Sequence, residues 1–487
     1  MTSYLLSMFD PLLLLDASKM DQSIIALGFT SFLLLVFSVS GLLMRYQSTG
    51  NLLLADWFVV GLAGYSGVVM LLFVAASVAL GDSKAIKMIS ESAVAWAYPI
   101  FTGMIIVGVW VATWLFGKTS NWVRVPDSAT SRKLSARINW MAWVTLLVGC
   151  GSYWLYARSY GGFSNLLEYS AGIRAGLVDV NDNAYTFLKR FGGFCFFSTL
   201  LFGGVILTKG KGVLGLLVSW LGFLMAFMSS LFILYSWEGR LGIVAFVLVA
   251  PFGYMVYRHG RRLILLRNAM LLSILPLVAL PATSAIWGKA AESDNLSGFF
   301  VRELSFPLNS FSSAYENESL RYMQDVFAAP LYLFPTRVWK GVFGLDTASD
   351  VNTENVMGKR KGERGSTTAV PIDFVTFSFM QASFIGLLLV GFLFGALLCK
   401  LDNILAVYFY GGVQAMLYSY AVLFVAGMSA LYADPKHILN RNFHFIIGIA
   451  CLLWLCKSIK LDSLINSKGG STNMINDSVG KSRFKFV

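Results

Sequence analysis

The chain is 487 residues long, 56% hydrophobic and only 13% charged, with a mean hydropathy of +0.67. That apolar share lies far above the one soluble domains use, which excludes a soluble enzyme or binding module and defines a polytopic membrane protein. A net charge of +12 would suggest nucleic acid in a soluble chain. Here basic loops on one side of a membrane account for it, and no nucleic-acid partner is expected.

The opening stretch "MTSYLLSMFDPLLLLDASKMD" lacks a basic n-region, so no signal peptide is expected and the first span is expected to direct insertion. Taken in chain order, apolar stretches of about 20 residues predict about eleven spans. They centre near Phe32, Leu71, Ile106, Leu147, Leu200, Gly222, Phe246, Leu275, Leu389, Leu423 and Ala450. The loop 117–138 holds Lys118, Arg124, Arg132, Lys133 and Arg137 against Asp127, and the turn 258–267 reads "RHGRRLILLR". Both are therefore expected on the cytoplasmic side, in agreement with Lys209 and Lys211. Alternation then puts 158–190, 236–240, 287–376 and 432–441 outside.

The chain divides accordingly. Residues 1–286 hold the first eight predicted spans with the outer loop 158–190; 287–376 form one large outer loop; 377–457 hold the last three spans. The tail 458–487 is basic and rich in Gly, Ser and Asn, which predicts a disordered cytoplasmic end. The large loop carries nine Lys/Arg against eleven Asp/Glu, with Pro307, Pro330 and Pro335 among aromatics. A connection so long and so patterned is expected to fold as a partly amphipathic, functional cap. No fixed-period repeat and no paired halves with matching broken helices are visible, which weighs against a secondary transporter.

On the expected outer side, "GGFSNLLEYSAGIRAG" (161–176) carries Glu168 and Arg174, and "SWEGRLG" (236–242) sets Glu238 and Arg240 between two apolar runs. The large loop adds Glu303, Arg321, Arg337 and Asp373. The arginine fork stays charged and matches phosphate oxygens in pairs, so arginines converging on one outer cavity would suit a diphosphate-linked ligand. Arginines at helix ends also snorkel or pair with acids. Glu168, flanked by Arg158 and Arg174, reads as a counter-ion, whereas Glu303 and Asp373 are candidates for a general base. Tyr153, Trp154, Tyr160, Trp237, Tyr315, Tyr322 and Trp339 could stack on sugar faces but read first as an interfacial belt.

Metal or cofactor chemistry has little support. His259, His437 and His444 are scattered, and "DTASDVNTEN" (346–355) lacks the central glycine and closing glutamate of a calcium loop. Cys150, Cys195, Cys399, Cys451 and Cys456 lie in apolar runs without paired spacing and read as small core residues. No phosphate-cradling glycine motif or nucleophile elbow is present, so a pre-activated lipid-linked donor is the reagent that remains.

This pattern resembles the O-antigen and oligosaccharide repeat-unit polymerases, the Wzy family. The resemblance rests on "GGFSNLLEYSAGIRAG", where a glycine pair precedes a short helix ending in an arginine, on the later arginine of "EGRLG", and on the one long outer loop before the final spans. "GSTTAVPIDFVTFSFMQASFIG" (365–386) is similar to the family's re-entry into the membrane, with Asp373 and Gly386 in the places of its acid and glycine. The resemblance implies an all-α, GT-C-like membrane glycosyltransferase of the bacterial inner membrane with a periplasmic active face and no cofactor or metal. It implies en bloc transfer of a glycan from undecaprenyl diphosphate to the non-reducing end of a new lipid-linked unit, with a flippase and a chain-length regulator as partners. Arg174 and Arg240 would hold diphosphate, Arg321 or Arg337 would assist, and Glu303 or Asp373 would accept the proton. The related O-antigen ligase carries a histidine in its large outer loop, and 287–376 has none. A lipid-linked oligosaccharide flippase or permease is the alternative of another class.

Overall fold

The computed structural model describes residues 22–79, 96–117, 128–175, 185–208, 213–237, 240–272, 296–335, 337–360, 369–409 and 411–455, and every regular element among them is helical. With no water in the hydrocarbon to satisfy backbone groups, an apolar run must pair its amides internally, and the helix does this. Helix α1 spans Gln22–Thr49. Helix α2 runs over Leu54–Ala63, widens into a π-helical turn at Gly64–Val69 and resumes over Met70–Ala79. Then come α3 (Ala97–Phe116), α4 (Ser128–Arg158) and the short α5 (Phe163–Ala175). A 3-10 segment at Thr186–Gly193 leads into α6 (Phe194–Leu207), followed by α7 (Val213–Ser236), α8 (Arg240–His259) and α9 (Ile264–Leu272). The large loop contains α10 (Leu296–Glu316), α11 (Gln324–Ala328) and α12 (Ala348–Met357). Helix α13 (Phe374–Tyr408) and α14 (Gly411–Tyr420, continued by a π turn over Ala421–Gly427) re-enter the bundle. The last pair, α15 (Pro435–Arg441) and α16 (Phe443–Leu455), is bent by 56°.

Eight helices among the described residues are long and apolar enough to cross a membrane, and the bent pair brings the number up to nine. The span expected near Leu147 lies in α4, a 31-residue helix packed along α6, and the one expected near Leu275 falls outside the described residues. The expected disordered tail also falls outside them.

The tightest seam joins α3 to α13. A Cβ on Gly108 would stand 2.3 Å from the Leu388 carbonyl oxygen, and one on Gly391 would stand 2.6 Å from that of Ile105. Gly391 and Gly395 form a small-xxx-small pair, so the backbones touch where any larger residue would hold them apart. Hydroxyls within the apolar helices mostly return to their own turn: Thr113 donates to the Val109 carbonyl at 2.8 Å and Ser230 to Ala226 at 2.6 Å.

The bundle has two chemically distinct ends. At one, Leu52 N–H donates to the Arg261 carbonyl at 2.8 Å, Tyr418 hydroxyl donates to the Leu52 carbonyl at 2.8 Å and Asn403 reaches the Phe116 carbonyl at 3.4 Å. Arg45, Arg258, Arg261 and Arg262 collect here around two buried ion pairs, Arg45 with Asp56 and Arg261 with Asp402 at 2.6 Å. At the other, Tyr153 and Ser236 hydroxyls bond to each other, Arg190 donates to the Leu333 carbonyl at 3.1 Å and Ala433 N–H donates to the Ile372 carbonyl at 2.9 Å. The described parts of 158–190, 236–240, 287–376 and 432–441 therefore share one end, which we call the capped end.

Candidate functional site at the capped end

The capped end is organised by a break in α13. Ala382 and Ser383 leave helical geometry, Ser383 with φ of 53°, so Phe374–Gln381 forms a separate, buried helix of about two turns before the long span resumes. A break frees the carbonyls that precede it, and buried carbonyls need donors. The turn after α10 supplies them: Arg321 N–H donates to the Met380 carbonyl at 2.6 Å and Met323 N–H to that of Gln381 at 2.7 Å. That turn holds Glu318, Tyr322 and Met323 at positive φ (47°, 48° and 63°), a conformation uncommon for residues other than glycine. Gly386 sits where the resumed span passes the broken turn, and a Cβ there would stand 2.2 Å from the Ser378 carbonyl oxygen.

Asp373 caps the short helix. Its carboxylate accepts from Val375 N–H at 3.0 Å, Thr376 N–H at 3.3 Å, Tyr98 hydroxyl at 2.8 Å and the Thr376 hydroxyl, and the residue is fully buried. Burial pushes its pKa up to about 6, held back from rising further by the hydrogen bonds from Thr376 and Tyr98. A carboxylate so enclosed turns no oxygen toward the surface. The base role expected for Asp373 therefore gives way to helix capping.

Arg321 is also committed. Its Nε and Nη2 grip both oxygens of Asp325, the second at 3.1 Å, and Nη2 reaches the Asp346 carbonyl at 2.6 Å. Asp325, 0% exposed, further accepts from Tyr332 hydroxyl (3.1 Å), Ala348 N–H (3.1 Å) and Gln381 Nε2 (3.0 Å). This carboxylate thus ties the turn after α10, α12 and the broken helix into one unit. The charge of Arg321 serves that unit and is not presented as an open phosphate fork.

The remaining expected residues are placed by their backbone. Arg174 lies in the last turn of α5, Arg240 opens α8, Glu303 lies within α10 and Arg337 begins a π-helical segment at Arg337–Val342. Helix α5 packs on α4 and α7, which brings Arg174 to the end where α7 gives way to Arg240. Glu168 lies on α5 itself, and Glu238 falls outside the described residues.

Residues that the sequence did not single out sit beside these. Asp434 caps α15 with Pro435 following it, accepts from Lys436 N–H at 2.8 Å and receives Ser349 N–H at 3.2 Å. Burial raises its pKa to about 6, opposed by the Lys436 ammonium. Lys436 stands over the Trp339 ring at 4.9 Å and Arg441 over the Tyr432 ring at 4.7 Å, while Arg190 holds the carbonyls of Leu333 and Phe334. The "DP" dipeptide before "KHILNR" is a legible helix-start signal. "TASD" within "DTASDVNTEN" is another, since Thr347 and Asp350 form a capping box at the start of α12.

Comparison with known proteins returned no matching family model, no matching curated protein and no matching solved structure. The chain is a polytopic helical membrane protein.

Proposed function

We propose that this chain polymerises oligosaccharide repeat units carried on undecaprenyl diphosphate, in the manner of the Wzy polymerases, with a GT-C-like fold of about eleven spans counted from its apolar stretches. The observation that carries the reading is the gathering of Arg174, Arg240 and Arg337 on elements of one end, alongside Arg190, Lys436 and Arg441, opposite the end that collects the basic turns. By the positive-inside rule the capped end faces outward, the periplasmic face of an inner membrane. An anionic lipid headgroup would meet these cations at the boundary where its chain stays in the bilayer.

In the reaction, an acceptor hydroxyl oxygen bonds to the anomeric carbon of the donor glycan as the bond from that carbon to the diphosphate oxygen breaks. The electron pair leaves with undecaprenyl diphosphate, and arginines beside it offset the charge on the leaving group. The hydroxyl proton passes to a base. With Asp373 enclosed as a cap, Glu303 is the acid we assign to that role. A flippase and a chain-length regulator are the partners this reading calls for.

Purified protein in liposomes, given undecaprenyl-diphosphate repeat units, is expected to yield a ladder of longer chains without added nucleotide. Arg174→Ala or Arg240→Ala should slow it by about 10²–10³-fold, the loss typical of removing one donor to a developing charge. Translocation of unchanged monomer by the wild-type protein would replace this reading with the flippase.

A further inference from the structure

The large outer loop contains one stretch whose exposed residues are almost without charge. Between Tyr322 and Gly344, eleven described residues are exposed, and Lys340 is the only charged one among them. Five of the eleven, Tyr322, Phe327, Phe334, Val342 and Phe343, are large apolar side chains, each exposed over more than half of its surface and the first two over 78%. On the flanking stretches 311–321 and 345–360, four of the eight exposed residues are charged, namely Glu316, Glu318, Glu354 and Arg360. The two patterns belong to different solvents, because large apolar side chains gathered in water forgo the free energy of burial. The apolar stretch is also firmly built. Tyr332 and Trp339 close a small core of its own with Ala328, and Asp325 ties its start to the broken helix through Gln381.

Its anchorage sets the level at which it lies. Arg190, near the outer end of the apolar segment Thr186–Leu207, donates from Nη1 to the carbonyls of Leu333 at 3.1 Å and Phe334 at 3.3 Å. Leu439 of α15 packs on the small core, and Lys436 of α15 stands over the Trp339 ring at 4.9 Å. Both grips therefore come from the outer ends of segments apolar enough to cross the membrane. Helix α15 is bent by 56° from α16, which presents Ile446, Ile447 and Trp454 outward as a lipid-facing strip. The stretch thus stands at the height where the bundle leaves the hydrocarbon, and it leans on a helix pair that itself faces lipid. We propose that residues 322–344 form an interfacial strap seated on the leaflet at the capped end, with Phe327, Phe334, Val342 and Phe343 entering the boundary between headgroups and acyl chains. Such a seat is about 5–10 Å deep. The stem of Lys340 can lie along it with the ammonium in the headgroups. The inference goes beyond the polymerase reading and does not depend on it.

The test places the photoreactive residue p-benzoylphenylalanine in turn at Phe327, Phe334 and Phe343 of the full chain, with Asn317 and Glu354 as control positions. The protein is irradiated in nanodiscs of phosphatidylethanolamine and phosphatidylglycerol, and the adducts are identified by mass. Phospholipid adducts are expected at the three phenylalanine positions and not at the controls. The double variant Val342→Asp with Phe343→Asp, at exposed positions that leave the small core intact, should lower the lipid adduct at position 327 severalfold, since a carboxylate resists the acyl boundary. Adducts to a second copy of the chain would overturn the proposal and make this surface a protein interface. So would an absence of lipid adducts, equal adducts at the controls, or an adduct at position 327 undiminished in the double variant. Lipid adducts in a protein that extends no glycan would keep the strap and remove the polymerase reading.

Discussion

Asp325 is the residue on which the cap depends most, and its removal has a calculable effect. In Asp325→Ala the Arg321 guanidinium, whose side chain is 9% exposed, loses its counter-ion without gaining water. Tyr332 hydroxyl, Ala348 N–H and Gln381 Nε2 lose their acceptor at the same time. Breaking one side of a buried pair costs about 3–5 kcal/mol. Asp325→Asn should cost less, about 2–3 kcal/mol for roughly two charge-assisted bonds partly replaced. The replacement is available because Gln381 Oε1 now has no partner and can turn toward the new amide. Hydrogen exchange of the Ala348, Arg321 and Met323 amides in nanodiscs measures the opening directly. At about 1.4 kcal/mol per decade, Asp325→Ala should accelerate it by about 10² to several 10³-fold. The double variant Arg321→Met with Asp325→Leu should recover only part of the loss, since the three neutral donors stay unsatisfied. Acceleration below tenfold in Asp325→Ala would refute the assignment of Asp325 as the tie between the cap and the broken helix.

Further outcomes follow from the same geometry. Gly391→Leu forces a side chain into the Ile105 backbone and should lower resistance to denaturation in mixed micelles by at least about 2 kcal/mol, because overpacking a close helix crossing cannot be relieved by rotamer change. Asp373 and Asp434 both have pKa values raised to about 6 against a usual 3.8, so their folded forms prefer the proton. Their contribution is present in full below about pH 4 and is lost as pH rises through 6. The melting temperature should therefore fall between about pH 4 and 6, and Asp434→Asn, which keeps an N-cap oxygen, should flatten that slope. Cysteines placed at Lys359 and at Arg262 should differ in reaction with a membrane-impermeant maleimide on intact cells: the first should label and the second should not. Equal labelling would reverse or dissolve the orientation read from the basic turns.

The membrane character and the helical class follow from the sequence alone, because an apolar run of sufficient length has one stable backbone arrangement in lipid. The end-to-end arrangement of loops was legible for the same reason: alternation of spans leaves each loop only two possible sides. What the sequence could not resolve was the use each polar residue makes of its neighbours. Arg321 and Asp373 carry the residue types of a phosphate ligand and a base. Tertiary contacts instead occupy one with Asp325, four positions on but ambiguous without the fold, and the other with Tyr98, 275 positions away in the chain. Asn442 drew no notice as one amide in a polar turn, and only the fold buries its Oδ1 away from any partner while its Nδ2 donates to the Ile438 carbonyl. The break in α13 was equally hidden, since "FMQASFIG" reads as continuous helix until the turn after α10 arrives with donors for its freed carbonyls. Periodicity and charge asymmetry are properties of a segment and survive in sequence. Hydrogen-bond saturation belongs to a neighbourhood, and only the folded chain assembles it.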